Sequence, residues 1–316
     1  MTKFKDILNA SIKSKDTEEW LDMYFTRPIG LVMALAGKRL GIHPTAITAV
    51  SIIFGVWAAW MFSHTDIYHN LLGVVLLMLA NFCDSADGQL ARIANKKTLV
   101  GRVLDGFAGD IWFFCIYFAL CVRMMFQPMP GTDVNWGVWI WVLAFIAGIL
   151  CHSPQSSLAD YYRQIHLFFL KGKAGSELDT YANQRAIFDS LPPQSPLIVK
   201  MFYYNYANYC KSQERRSPAF QRMRDTINTK YGDVALMPKE LRDMFLDGSR
   251  PLMKYTNILT FNMRAICLYV TSLAGCPWVY MMIEIIVFTI IYVYMHKKHE
   301  SLCKKITDAI TNETAK

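Results

Sequence analysis

The chain has 316 residues, 53% of them hydrophobic, and carries 17 Met, 19 Phe, 16 Tyr and 8 Trp, a composition that argues against a soluble globule. Its formal net charge of +8 suits an anionic membrane surface, and nucleic acid is a poor alternative because the Lys and Arg gather on one side of the apolar segments. The 8 Cys are scattered without a Cys-x-x-Cys pair and read as reduced packing residues rather than disulfides or metal ligands.

In chain order, the opening MTKFKDILNASIKSKD lacks the uninterrupted apolar core and small-residue cleavage site of a signal peptide, so no processing is expected. Residues 18–44, EEWLDMYFTRPIGLVMALAGKRLGIHP, alternate apolar and polar positions at helical spacing and end at Gly and Pro. They are expected to form an amphipathic helix in the cytoplasmic interface, within a cytosolic N-terminal region 1–45.

Six apolar segments follow, at residues 46–62, 70–94, 99–126, 134–169, 255–274 and 278–295. They are read against the roughly 20 residues that a helix needs to cross a hydrocarbon core. The first four, with the polar motif they carry, make up region 46–170, and the last two make up 255–296. Between them, residues 171–254 form a polar insert with Pro192-Pro193 and the basic stretch KSQERRSPAFQRMRDTINTKYG, too long for a plain loop and expected to hold several cytosolic helices. Residues 297–316 are a basic tail. Lys96, Lys97, the insert and Lys297, Lys298, Lys304 and Lys305 lie on one side; the opposite loops at 63–69 and 274–278 have no Lys or Arg, and the loop after the third segment has only Arg123. Positive charge marks the cytoplasmic side, so both termini and the polar motif are expected there, in an inner membrane. No strand alternation is sustained. The expected fold is all-α, an integral membrane protein with six transmembrane helices.

Residues 81–110, NFCDSADGQLARIANKKTLVGRVLDGFAGD, interrupt the second and third segments with four carboxylates. Asp84 and Asp87 are three apart and share a helix face, and Gly88 leaves that face open. The next helix returns with Asp105 and Asp110. Counting from the far ends of the two helices puts both pairs roughly 18 Å below the outer surface, at one depth. Four carboxylates there repel, and Arg92 and Arg102 do not balance them. A divalent cation resolves the conflict. Oxygen-only ligands select Mg²⁺ or Mn²⁺, ions that keep waters and bind substrate phosphates.

The spacing D84-x₂-D87-G88-x₂-A91-R92-x₈-G101-x₃-D105 resembles the signature of the CDP-alcohol phosphotransferases, D-x₂-D-G-x₂-A-R-x₈₋₉-G-x₃-D-x₃-D. HPTAIT, at the start of the first span, is similar to the family's Pro-Asn-x-x-Thr segment. The resemblance covers roughly residues 20 to 130. It implies that a CDP-linked lipid such as CDP-diacylglycerol binds with its pyrophosphate on two metal ions, that an acceptor alcohol attacks the phosphorus distal to cytidine, and that CMP leaves. It implies that Asp84, Asp87 and Asp105 are metal ligands and that Asp110 is a ligand or, with Asp105, a catalytic group. Asp84, Gly88, Ala91, Arg92, Gly101, Thr48 and Pro44 would border the nucleotide, and a homodimer is implied. The fourth carboxylate departs from the pattern, since position 109 is Gly and the acid is Asp110. A π-bulge at Gly106 and Gly109 is expected to absorb the extra residue.

Arg163 in the fourth span and Arg264 in the fifth recur in polar stripes at helical spacing, as a second anion site requires. The resemblance extends, by position and charge, to the branch that makes phosphatidylinositol phosphate from inositol phosphate. That makes inositol phosphate the expected acceptor. The competing expectation for Arg264 is an ion pair with Glu284, and for Arg163 a place at the interface. A neutral acceptor, a cation transporter and an inactive CDP-lipid binder are the alternative readings of the whole chain.

Overall fold

The computed structural model describes residues 2–12, 14–95 and 99–313. Lys96 and Lys97, on which part of the charge asymmetry rests, lie outside these. The described residues are helical, with one isolated bridge between Pro128 and Asn135 and no named strand.

Helix α1 spans Thr2–Ser11, and a π-helical turn at Asp22–Thr26 leads into α2, Arg27–Arg39, with Pro28 in its first turn. Gly41, at φ 70°, ends α2 in a left-handed turn in which Ile42 N–H reaches back 2.9 Å to the Gly37 carbonyl. Then α3 spans Pro44–Phe62, capped by the His43 imidazole on Thr45 N–H. Next, α4 spans Ile67–Ile93, capped by Asp66 on His69 N–H at 3.1 Å, and α5 spans Leu99–Met124. A 33-residue helix α6, Trp139–Lys171, carries a π-helical stretch at Ile146–His152. Four helices of the polar region follow: α7 (Tyr181–Asp189), α8 (Leu197–Arg216), α9 (Pro218–Tyr231) and α10 (Lys239–Ser249). The chain closes with α11 (Met253–Ile258), α12 (Phe261–Leu273) and the 35-residue α13 (Trp278–Asn312), which has a π-helical turn at Glu284–Phe288.

Among the described residues five helices are long and apolar enough to cross a membrane: α3, α4, α5 from Leu104, α6 and α13. The protein is a multi-pass membrane protein. The expected span at 255–274 is divided. Leu259 and Thr260 break it, where the Thr260 hydroxyl donates to the Asn257 carbonyl at 2.7 Å and replaces a helical bond. The 13 residues of α12 rise only about 20 Å, short of a core of about 30 Å. At its far end Gly275, at φ 74°, reverses the chain into Pro277 and α13, with Cys276 N–H on the Thr271 carbonyl at 2.9 Å.

The chain forms two compact units. The first, Met1–Pro154 with Phe261–Thr289, has a core of small and aromatic side chains from α3, α4, α5 and the first part of α6. The burial pattern is that of a helix in lipid. On α3 the bulky Ile53, Trp57 and Trp60 are exposed while Thr48, Ser51, Gly55 and Ala58 face inward. Small inward residues let backbones approach closely. A Cβ on Gly55 would fall inside the Trp112 indole of α5, and one on Gly30 would meet Ser85 Oγ of α4 at 2.7 Å. The second unit, Gln155–Thr260 with Ile290–Lys316, is held by Phe169 stacked on Phe245 at 3.9 Å, and by Tyr162 stacked on His299 at 3.8 Å. Glu300 accepts from Ala219 N–H at the start of α9 at 2.8 Å.

Candidate active site

The site is built where α4 meets α5. Asp84 and Asp87 lie one turn apart on α4, Asp105 projects from α5, and each offers a carboxylate oxygen within 4.8 Å of the others. Asp84 and Asp105 are half-buried and Asp87 is buried, 3% exposed. Three acids so close in a region poor in water repel by Coulomb interaction at low effective dielectric, and each must be matched or leave the site.

Among the described residues, two groups offset part of that charge. The Thr48 hydroxyl of α3, which also lies 3.3 Å from the Pro44 carbonyl, hydrogen-bonds Asp87, and Arg92 adds a positive charge from the next turn of α4. The Arg92 guanidinium lies 3.5 Å from where a Cβ on Gly88 would stand, so it reaches over the open face that Gly88 leaves. Asp87 Oδ2 is buried and has no hydrogen-bond partner among the described residues. A buried carboxylate oxygen left unpaired costs on the order of 1–3 kcal/mol, more when charged. The donor set is all oxygen, the choice of Mg²⁺ or Mn²⁺. The three residues therefore fit a hard divalent cation. Pro44 is buried in the first turn of α3, Ala91 is half-buried on α4, and Gly101 stands one turn before Asp105 on α5.

Asp110 is not in this group, which corrects its expected place beside the other three. The expected π-bulge is absent, because α5 is α-helical from Leu99 to Met124. Five residues of regular helix turn Asp110 about 140° away from Asp105. It is exposed, on the same face as the exposed Phe107, Phe114 and Phe118.

Arg264 is also placed differently from its expected role at an acceptor. It is 1% exposed and its Nη1 pairs with Glu284 Oε2, the competing expectation. The same carboxylate accepts from Tyr280 at 2.7 Å and lies 3.3 Å from His152 Nδ1, while Tyr117 donates to Tyr280 at 3.3 Å. Two of the three π-helical stretches, those at His152 and Glu284, bring these groups together. Arg163 is half-buried in the second unit.

Four residues that the sequence did not single out stand next to the carboxylates. Arg27, at the start of α2, forks onto Glu18 with Nε–Oε2 at 3.1 Å and Nη2–Oε1 at 3.3 Å. Its Nη1 lies 3.4 Å from Ser85 Oγ, and Gln89 donates to its carbonyl at 3.1 Å. The available sequence signal was the run of small residues Gly30, Ala34 and Gly37 on α2, where α2 comes close to α4.

Comparison with curated proteins gives no match. A family model described as CDP-alcohol phosphatidyltransferase matches residues 41–161, a stretch that holds Thr48 and all three clustered carboxylates and leaves out Arg27 and Arg264. Residues 41–161 are thus similar to the CDP-alcohol phosphatidyltransferases, a family of phosphotransferases for substituted phosphate groups that generally depend on a divalent metal.

Proposed function

We propose that the protein transfers a phosphatidyl group from a CDP-linked lipid such as CDP-diacylglycerol to an acceptor alcohol and releases CMP, with two Mg²⁺ or Mn²⁺ ions held by Asp84, Asp87 and Asp105. The observation that carries this reading is the unpartnered Asp87 Oδ2 inside a three-carboxylate cluster of a CDP-alcohol phosphatidyltransferase domain. Bound metal supplies Lewis-acid polarisation of the donor's phosphates. The chain's residues do the rest. Gly88 and Ala91 leave room for the nucleotide along α4, with Thr48, Pro44 and Gly101 around it, and Arg92 reaches over Gly88 toward its phosphates. The acceptor oxygen bonds to the phosphorus distal to cytidine, the bond from that phosphorus to CMP breaks, and Asp105 takes the acceptor's proton.

For the acceptor, inositol phosphate is the reading we carry forward, with Arg264 left out of its binding because it is matched by Glu284. We place the site on the cytoplasmic side of an inner membrane, from the Lys and Arg excess of the loops and tail. We also take α12 as a sixth crossing completed by its flanking turns, since the Gly275 reversal sends α13 back across. A homodimer is supported by α5. Its exposed face carries Asp110 among Phe107, Phe114 and Phe118, and an acid left to lipid costs about 3 kcal/mol on insertion scales.

The test is CMP release by purified protein in detergent, with CDP-diacylglycerol, Mg²⁺ or Mn²⁺, and a panel of phosphorylated and neutral acceptors. Metal-dependent release stimulated by inositol phosphate is expected. Release with a neutral acceptor alone removes the inositol phosphate reading, and no release with any acceptor leaves a transporter or an inactive binder.

A further inference from the structure

The carboxylate cluster has a neighbour outside the matched domain, and that neighbour is held with more care than a surface cation needs. The Arg27 guanidinium uses both edges. One edge is forked onto Glu18, whose side chain is 5% exposed, and Nη1 points to Ser85, the residue next to Asp84 on α4. Asp84 and Asp22 both act on it electrostatically. The backbone is fixed as well, by Gln89 Nε2 on the Arg27 carbonyl and by the close approach that Gly30 allows over Ser85. Glu19 and Asp22, on the same stretch as Glu18, accept from Asn262 Nδ2 of α12 at 2.8 and 2.9 Å. The segment from Glu18 to Gly30 is thereby tied to α4 on one side and to α12 on the other.

Resting on the metal-site reading above, we propose that Arg27, aimed by Glu18, is a positioning residue for that site: it fixes the turn of α4 at Ser85 and so sets where Asp84 presents its oxygen to the cation. Residues that orient metal ligands from behind typically contribute 10–100-fold to affinity. Charge alone gives the opposite sign. A cation beside Asp84 repels Mg²⁺ or Mn²⁺, so if Arg27 were only a nearby charge, its removal would tighten metal binding. The sign of the change separates positioning from proximity, and the fork separates Arg from Lys, which offers a point charge without a plane.

The experiment is Mn²⁺ binding to the detergent-purified full chain, followed by the loss of free Mn²⁺ signal in electron paramagnetic resonance, without donor or acceptor. Wild type is compared with Arg27→Gln, Arg27→Lys, Glu18→Gln and Ser85→Ala, with melting temperature and gel filtration run alongside. We expect Arg27→Gln and Arg27→Lys to weaken Mn²⁺ binding about tenfold or more, and Glu18→Gln and Ser85→Ala to weaken it in the same direction. If Arg27→Gln does not fold, Glu18→Gln and Ser85→Ala carry the test. Unchanged or tighter binding in the folded variants overturns the proposal and leaves the metal site standing, because wild type still binds. A wild type that binds no Mn²⁺ overturns the site reading and this proposal together.

Discussion

Two clusters of charge are buried in the first unit, and they are built on opposite principles. Around Glu284 every partner is already present: Arg264, Tyr280 and His152 meet one carboxylate, Tyr117 backs Tyr280, and the Phe288 ring lies under the Arg264 guanidinium at 5.2 Å. Around Asp87 two further carboxylates stand close, with Thr48 and Arg92 as the groups that offset them. Asp84 and Asp105 come within 4.8 Å, and Asp87 Oδ2 has no partner among the described residues. A buried network that closes on itself is a strut, because each member is satisfied within the protein. One that leaves like charges together with an orphan oxygen is waiting for a ligand of the other sign.

That contrast yields its largest effect on removal of an acid from the open cluster. Asp87→Asn should lower CMP release on the order of 10³-fold, the loss of several kcal/mol of charge stabilisation, with little loss of melting temperature. Chelation of the metal should do the same to wild type, reversibly on adding Mn²⁺. A folded Asp87→Asn variant with near-normal release would mean that the open cluster is not the site.

In the closed cluster the consequence is reversed. Glu284→Gln strands Arg264 and should cost about 3–5 kcal/mol of stability, read as a fall in melting temperature, while release per folded molecule changes little. Adding Arg264→Met should recover part of that loss, because a stranded charge is worse than none. If the double variant is no better than the single, the strut description is wrong.

The smallest effect separates the two readings of the shifted acid. Asp110→Asn should leave CMP release within a few-fold, against the 10²–10⁴-fold contribution of a general base. A loss of that larger size would return Asp110 to the mechanism.

What the sequence made legible follows from the range of each signal. The spacing of Asp84 and Asp87 on one helix, and their match to Asp105 across the loop, needed only helical periodicity and a count of residues to the membrane face. The α12 break was less visible. The apolar character of 255–274 carries past Leu259 and Thr260, and the break there is made by tight backbone turns and the Thr260 hydroxyl on the Asn257 carbonyl, which hydropathy does not mark. Asp110 misled because a missing bulge cannot be told from a present one by composition; Gly106 and Gly109 permit either. The contact of Arg27 with Ser85 spans 58 residues, and no local pattern encodes a pairing of that length. Arg264 was ambiguous for the same reason, since its partner Glu284 is 20 residues away on another helix.

The most direct test of the central claim is to locate Mn²⁺ itself, by anomalous scattering from crystals of the purified protein grown with MnCl₂. Anomalous density is expected bounded by Asp84, Asp87 and Asp105, with Asp110 and Glu284 taking no part. Density at Asp110, or none at the three carboxylates under saturating Mn²⁺, would contradict it.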